Sequence, residues 1–418
     1  MLEFILDILS EPSILVGLVA LIGLIIQKKS FSDCLLGSIK TIMGFLVLSG
    51  GASLVTGSLD YFGKMCEYGF GITGIVPNNE AIVGLALNEL GTTTALIMAF
   101  GMLSNILIAR FTKLKYIFLT GHHTLYMACM YAAILYAGDI KGTTAVVIGS
   151  ILLGFTMAIM PALANPFMKK IVGSDQVGFG HFGTFGYILS GYVGKLVGKN
   201  SKSTEDIKFP KGLNFLRDTS VAISITMLVL FLIVSFMAGA EFVHELSGGK
   251  NFIVFSVIQS ITFAGGVYII LAGVRLILGE IVPAFKGIAT KLVPNAKPAL
   301  DCPIVFPYAP NAVLIGFLSS FVGGIVGLFI LVSFGFPAIL PGVVPHFFCG
   351  ATAGVFGNST GGRRGAIIGS FANGLLITFL PAMLLPTLSG FGFVGTTFSD
   401  SDFGVWGILL GNIINIFK

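Results

Sequence analysis

Charged residues are scarce in this chain of 418 amino acids. Only 10% of its residues are Asp, Glu, Lys or Arg, whereas 55% are hydrophobic. A soluble domain carries about 25% charged residues, so the composition excludes an ordinary water-soluble fold. The mean hydropathy of +0.96 points instead to a membrane protein. The net charge of +5 comes from basic residues in short, separate loops, and this distribution excludes nucleic acid as the expected partner.

Several catalytic signatures are also missing. The sequence has no Walker phosphate loop, no G-x-S-x-G nucleophile elbow and no H-E-x-x-H zinc motif,. Its five cysteines form no C-x-x-C pair, so we expect no metal site, no cofactor and no disulfide framework. None lies in the glycine-rich, soluble context of a phosphorylated thiol, which disfavours an enzyme working alone. The acidic start, with Glu3, Asp7 and Glu11, lacks the basic region of a secretory signal,.

Long uncharged runs recur along almost the whole chain, among them Thr219 to Ala240 and Cys302 to Pro345. A transmembrane helix needs roughly 20 apolar residues. We therefore predict about eleven spans: Pro12–Gln27, Leu35–Gly57, Ala81–Arg110 (a short half-helix and then a full one), Tyr116–Gly138, Gly142–Ala164, Thr219–Val243, Phe252–Ile281, Ile304–Phe334, Phe336–Gly357, Arg364–Gly390 and Gly404–Phe417.

Short basic loops indicate the orientation. Lys28-Lys29, Lys113, Lys169-Lys170 and Arg363-Arg364 fall on one side if the spans alternate. The positive-inside rule places that side in the cytoplasm.

A weak internal repeat divides the chain. Val76-Pro77-Asn78 is echoed by Val293-Pro294-Asn295, and TGHHTLYMAC is echoed by VPHFFCGATAG. An odd number of spans per half inverts the second copy, an arrangement that places binding sites near the midplane of many transporters. We predict an all-α polytopic fold with broken helices and four parts: a first five-helix repeat over 1–164, a re-entrant segment and basic loop over 165–218, an inverted second repeat over 219–390, and a last transmembrane helix over 391–418.

Polar side chains inside apolar runs are the candidate site residues. Asp301 precedes a long uncharged run, where a carboxylate usually faces the protein interior or a water-filled cavity,. Such a group accepts hydrogen bonds from the vicinal hydroxyls of a sugar, although it could instead cap a helix among lipid headgroups. His122 and His181 each follow a glycine within a membrane segment, where the polar ring needs a partner. We predict that both contribute to the site.

Asn79 and Glu80 begin an apolar span directly after a proline. They indicate either an ordinary helix cap or a broken helix whose end faces the substrate. His346 is a weaker candidate, and His244 is interpreted as structural. Together these residues favour a permease for an uncharged or weakly anionic polar substrate.

The order of five motifs resembles a known family. LTGHHTLYMAC, VGFGHFGTFG, STEDIKFPKGLNFLRD, ALDCPIVFPYAPNAVLIGF and GVFGNSTGGRRGA are similar to the ascorbate-type membrane subunit (enzyme IIC) of the bacterial phosphoenolpyruvate-dependent sugar phosphotransferase system. The resemblance implies a homodimer in the bacterial inner membrane, with core and dimer-scaffold domains interleaved across both repeats. The core would carry the sugar in an elevator-like motion. A separate IIB subunit, charged by IIA, would phosphorylate the substrate from its cysteine.

The resemblance also implies site residues. Substrate contacts carry over to Gly51, His122, His181 and Asp301. The chain departs from the ascorbate-specific pattern at Ala52 in place of Ser, at Asn79-Glu80 in place of Thr-Tyr, and at Tyr126 and Phe182 in place of Gln. We expect these positions to set specificity. A Glu80 facing the pocket would repel the ascorbate anion.

Two questions stay open from the sequence. L-Ascorbate is the first expectation for the substrate, and a neutral sugar or polyol is the rival. The alternative mechanism is an ion-coupled secondary transporter in which Glu80 and Asp301 carry protons. If the first mechanism holds, the basic stretch 195–217 is the expected docking surface for phosphorylated IIB.

Overall fold

The computed structural model describes residues 11–71, 75–207, 219–388 and 396–416. Within these ranges the fold is nearly all helical. Its helices are α1 Pro12–Ile26, α2 Phe31–Phe70, α3 Asn79–Phe111, α4 Gly121–Ala137, α5 Gly142–Val172, α6 Thr184–Val197, α7 Thr219–Ala238, α8 Ala240–Leu246, α9 Phe252–Lys291, α10 Pro310–Ser333, α11 Ala351–Leu388 and α12 Ser401–Ile416. The strands are β1 Val76–Pro77, β2 Tyr116–Phe118, β3 Gly178–Phe179, β4 Lys297–Leu300 and β5 Thr396–Thr397. Short 3-10 turns cover Thr204–Asp206, Cys302–Ile304 and Phe306–Tyr308, and a π-helical turn, His346–Gly350, leads into α11.

Four stretches within the described ranges are long and apolar enough to cross a membrane: Glu89–Phe111, Gly142–Val172, Pro310–Ser333 and His346–Leu388. A bent pair, Met227–Ala238 and Ala240–Leu246, turns by 110° and would make a fifth. Large apolar side chains such as Phe236 and Phe329 point outward, which suits lipid rather than water. The fold is therefore that of a helical membrane protein, and the eleven spans stay a prediction.

The long helices pack on one another in pairs. The two longest helices, α2 and α9, pack on each other, α3 packs on α5, and α10 packs on α11. The repeated V-P-N motif, however, does not adopt one structure. Val76–Pro77 forms β1 and pairs with β5, whereas Val293 to Asn295 form a turn before β4. The inverted repeat and the four-part division also stay predictions.

The segment after α3 differs from the expected helix. Tyr116–Phe118 is a strand, so the span predicted from Tyr116 was wrong over its first residues. Asn105 on α3 fixes this strand: its Nδ2 donates to the Tyr116 carbonyl and its Oδ1 accepts from the Phe118 N–H, each at 3.1 Å. A short apolar run does not distinguish a strand from a buried helix. Helix α3 itself runs unbroken from Asn79 to Phe111, contrary to the expected half-helix.

Helix α11 folds back on itself at Gly362. This residue has φ 56° and ψ −146°, and the Ser370 hydroxyl donates to the Gly350 carbonyl at 3.3 Å. A straight helix would hold residues that far apart in sequence roughly 30 Å apart, so 351–361 and 363–388 form a hairpin. The Gly-rich segment 357–365 thus makes a tight turn. Helix α6 lies against this hairpin, with Gly194 touching Gly361 backbone to backbone,.

Two polar clusters anchor the segments that lead to the candidate site. The Asp175 carboxylate pairs with Lys169 at the end of α5, at 2.7 Å, and with Lys297 at the start of β4. The ammonium groups of Lys169 and Lys297 lower the pKa of Asp175 below its usual range,. These ion pairs connect Lys297, the first residue of β4, to Lys169 on α5 through Asp175.

The second cluster lies within the basic stretch 195–217. Residues 208–218 lie outside the described ranges, but the preceding turn, Thr204–Asp206, is hydrogen-bonded to the start of α10. The Glu205 carboxylate accepts the N–H groups of Asn311 and Ala312 at the start of α10, each at 3.1 Å. The Asn311 side chain donates to the Thr204 carbonyl at 3.0 Å. A cap supplied by a residue so distant in sequence leaves no local pattern.

Replacing Gly362 by Ala should lower the free energy of unfolding by about 2 kcal/mol or more. A left-handed φ costs an L-residue about 1–2 kcal/mol, and the added Cβ would collide with the Lys202 carbonyl oxygen. Thermal unfolding of purified protein in detergent measures the loss. The matched control is Gly91→Ala on α3, where a Cβ meets open space. An unchanged melting temperature for Gly362→Ala would contradict the hairpin.

Candidate functional site

The central feature of the site is a small parallel sheet with strand order β2-β4-β3. Parallel strands present their carboxyl ends at one edge. At that edge β2 leads to His122 and His123 at the start of α4, β3 leads to His181 before α6, and β4 leads to Asp301. Because β4 is the middle strand, the sheet places Asp301 between the two histidine segments.

Gly180 explains the Gly-His pattern in one of these segments. Its N–H donates to the Leu300 carbonyl at 2.7 Å, and a Cβ at this position would collide with the backbone of Ala299. The glycine therefore lets the chain approach β4 closely and delivers His181 beside Asp301. The sequence suggested a broken helix here, and the structure has a strand end.

Three histidines alternate with two aspartates in the site. His122 Nε2 lies 3.6 Å from Asp301 Oδ2, and His181 Nε2 lies 4.0 Å from Asp301 Oδ1. His181 Nε2 and His123 Nε2 each lie 3.9 Å from Asp400 Oδ2. The side chains of His122 and Asp301 are 19% and 15% exposed, whereas the other three are 4% exposed. The row thus has an outer half, formed by the accessible His122 and Asp301 with the buried His181 at its inner limit, and a closed inner half, formed by Asp400 and His123. We call these five residues the His–Asp row.

Sequence reasoning missed His123 and Asp400. Asp400 directly follows the charge-free run Gly365 to Ser399, which is the same signal that marked Asp301. His123 directly follows His122, and only His122 was predicted as a site residue. Both residues were therefore detectable from polar groups at the edges of apolar segments.

The N-termini of α6 and α12 face each other at the inner half of the row. The Phe185 N–H donates to Asp402 Oδ1 at 2.9 Å, and the Gly186 N–H donates to the Ser401 hydroxyl at 3.1 Å. In return the Asp402 N–H donates to the Phe182 carbonyl at 2.9 Å. Each helix start carries partial positive charge, so the meeting point suits carboxylates and anionic ligands.

Replacing Asp402 by Ala should destabilise the protein by about 1 kcal/mol, because the start of α6 loses its cap. Asp402→Asn keeps an accepting oxygen and should cost much less. Chemical or thermal unfolding of both variants in detergent gives the comparison. Equal stability of Asp402→Ala and the parent protein would show that this cap is dispensable.

The hydrogen bonds of His181 fix its tautomer. Its Nδ1 accepts the Gly183 N–H at 3.1 Å and lies 2.7 Å from the Tyr187 hydroxyl. A backbone N–H can only donate, so Nδ1 is unprotonated and Nε2 carries the proton. That N–H points toward both Asp301 and Asp400.

The same tautomer bears on metal binding. Three groups within the row have ligand atoms within 4.8 Å of one another: His122–His123–Asp301, His123–His181–Asp400 and His181–Asp301–Cys302. A metal ion needs an unprotonated ligand nitrogen. His181 Nε2 carries its proton, so the two groups that contain His181 fit a cation poorly. These two groups are better suited to exchange hydrogen bonds with a polar ligand.

The remaining predicted residues surround the row to different degrees. The Tyr126 ring lies 5.8 Å from that of His122. Phe182 is fully buried and stacks on Phe118 at 4.6 Å, so it packs behind the histidines. Asn79 Oδ1 accepts the Ser399 N–H at 2.9 Å, which ties the start of α3 to the segment carrying Asp400.

Other predicted positions are farther away or lie outside the described side chains. Gly51 is buried in α2, which packs on α9, and no described contact joins it to the row. The side chains of Ala52 and Glu80 are outside the described part of the structure. His346 pairs with the Ser320 hydroxyl at 2.9 Å, which favours a structural role.

Apolar helices enclosing a buried row of histidines and aspartates define a helical membrane protein with a polar centre. Residues 7–402 match a family model described as the PTS system sugar-specific permease component. The chain therefore belongs to the family of sugar-specific permease (IIC) components of the phosphotransferase system, which confirms the family resemblance of its motifs.

One similar protein is the ascorbate-specific PTS system EIIC component of Mycoplasma pneumoniae. It is 26% identical to this chain over 439 aligned residues. The alignment covers 92% of this chain but only 66% of that protein's length.

Proposed function

We propose that this permease binds L-ascorbate, or a related polyhydroxy substrate, at the outer half of the His–Asp row. It would carry the substrate across the bacterial inner membrane while a phosphorylated IIB subunit, charged by IIA, phosphorylates it. The observation that carries the proposal is the placement of Asp301 between His122 and His181 by the parallel sheet. The ascorbate-specific relative supports the choice of substrate.

The chemistry of the outer half suits such a ligand. The Asp301 carboxylate accepts from two hydroxyls, and the His181 Nε2–H donates to a ring oxygen. One Asp301 oxygen already accepts the Cys302 N–H at 2.7 Å, which fixes the orientation of the carboxylate.

An elevator-type motion within a homodimer is the transport mode we propose, as the family resemblance implies. An apolar cavity of about 220 Å³ separates α2 and α7 on one side from α10 and the segment 340–345 on the other. Groups that meet across a hydrocarbon-lined gap can slide without breaking hydrogen bonds. We propose that α2, α7 and α9 form part of the scaffold and that the helices around the row move.

An ion-coupled secondary transporter is the second candidate. Its supporting observation is that two carboxylates, the accessible Asp301 and the buried Asp400, alternate with imidazoles. Such a row can take up and release protons. In this mechanism Asp301, with Glu80, would carry protons and the substrate would be released unmodified.

Uptake into sealed vesicles separates the two mechanisms. Labelled ascorbate is supplied with and without phosphorylated IIB, and the internal product is identified. We expect ascorbate phosphate to accumulate only when phospho-IIB is present. Accumulation of unmodified ascorbate driven by a proton gradient would favour the second candidate. Absence of any ascorbate uptake, with uptake of a neutral sugar or polyol from a panel, would overturn the substrate but not the mechanism.

Asp301→Asn should weaken ascorbate binding at least tenfold, about 1.4 kcal/mol. The amide replaces a charged acceptor oxygen with a donor, so it cannot accept two hydroxyls as the carboxylate does. Equilibrium binding to purified protein measures the change. Asp139→Asn is the matched control, because Asp139 is exposed and pairs with Lys141. Unchanged affinity in a folded Asp301→Asn variant would remove Asp301 from the proposed site.

A further inference from the structure

We propose that Asp400 is a positioning residue for substrate binding, and that it acts by holding the rings of His181 and His123 from the closed side of the row. The inference rests on the proposed function, because it concerns how the outer half of the row is kept ready for substrate.

Hydrogen bonds through Ser399 fix the position of the Asp400 carboxylate. The Ser399 hydroxyl donates to its Oδ1 at 2.7 Å, and the Ser399 N–H is anchored on Asn79 Oδ1 at 2.9 Å. Its second oxygen, Oδ2, faces the two imidazole Nε2 atoms at 3.9 Å each. The carboxylate is thus a fixed negative charge that faces His123 and His181.

The environment of His123 assigns its proton. Its ring lies 3.8 Å from that of His181 and is nearly parallel to Phe403, at 5.8 Å. Its buried Nδ1 meets no hydrogen-bond partner within the described structure. An unpaired buried acceptor is tolerated better than an unpaired N–H. The favoured tautomer therefore places the proton on Nε2, toward Asp400.

His181 is consequently shared between two carboxylates. Its Nε2 atom, which carries a single proton, lies 3.9 Å from Asp400 Oδ2 and 4.0 Å from Asp301 Oδ1. Without the charge of Asp400, this proton turns to Asp301 and occupies an oxygen that the substrate hydroxyls need. Asp400 thereby keeps Asp301 available, although it does not touch the substrate.

The first test is a double-mutant cycle on ascorbate affinity, with Asp400→Asn, His181→Gln and the double variant. We expect Asp400→Asn to weaken binding about tenfold in the parent protein and less than twofold in the His181→Gln background. Additive effects in the two backgrounds, or unchanged affinity in the single variant, would overturn the proposal. Asp402→Asn is the control, since it is equally buried on the same segment but caps α6, and it should leave affinity within twofold.

The second test needs no substrate and so separates this proposal from the proposed function. The chain has five histidines, and their ring ¹⁵N signals report the tautomer of each. In the parent protein we expect Nε2–H forms for both His181 and His123. Asp400→Asn should release the fixed tautomer of His123 and leave His181 protonated on Nε2, because Gly183 still donates to Nδ1. Unaltered His123 signals in the variant would refute a positioning role, whatever the substrate is.

Discussion

The pairing of β4 between β2 and β3 is the constraint on which the rest of the site depends. Irregular backbone at membrane depth survives only where protein satisfies its N–H and C=O groups. Here the three strands satisfy one another, and the Asn105 amide completes the edge of β2. Because the sheet is parallel, the same pairing gathers three chain segments at one edge. The polar centre thus follows from the strand pairing that satisfies the N–H and C=O groups of the buried backbone.

The partial positive charges at two helix N-termini then stabilise the carboxylates of this polar centre. The opposed N-termini of α6 and α12 exchange caps through Ser401, Asp402 and the Phe182 carbonyl. Two acids in neighbouring positions have separate tasks: Asp402 satisfies a helix end, and Asp400 faces the histidines. The helix-capping and histidine-facing roles of the segment 399–402 are therefore carried by different side chains, and for this reason Asp402 can serve as a control for Asp400.

The sequence identified the accessible half of the row better than the closed half. His122, His181 and Asp301 stood out because polar groups are costly inside apolar runs. Asp400 met the same criterion, but its partners lie in other segments, and the link from Asp402 to Phe185 spans 217 positions. Local patterns also cannot show that Tyr116–Phe118 pairs as a strand, since pairing is decided by residues far along the chain. The long apolar helices were foreseeable because their signal is local.

Close backbone contacts indicate which parts of the molecule move together. Between α10 and α11, glycines let backbones touch: Gly316 meets Gly354, and Gly374 meets the Ser320 carbonyl. Such contacts, together with the hydrogen bonds of the sheet, would be broken by any gating motion inside this group. Across the apolar cavity the boundary is made of side chains such as Phe62 and Phe321, where sliding changes one hydrocarbon contact for another. This difference in packing supports the elevator-type motion proposed for the permease over a local gate.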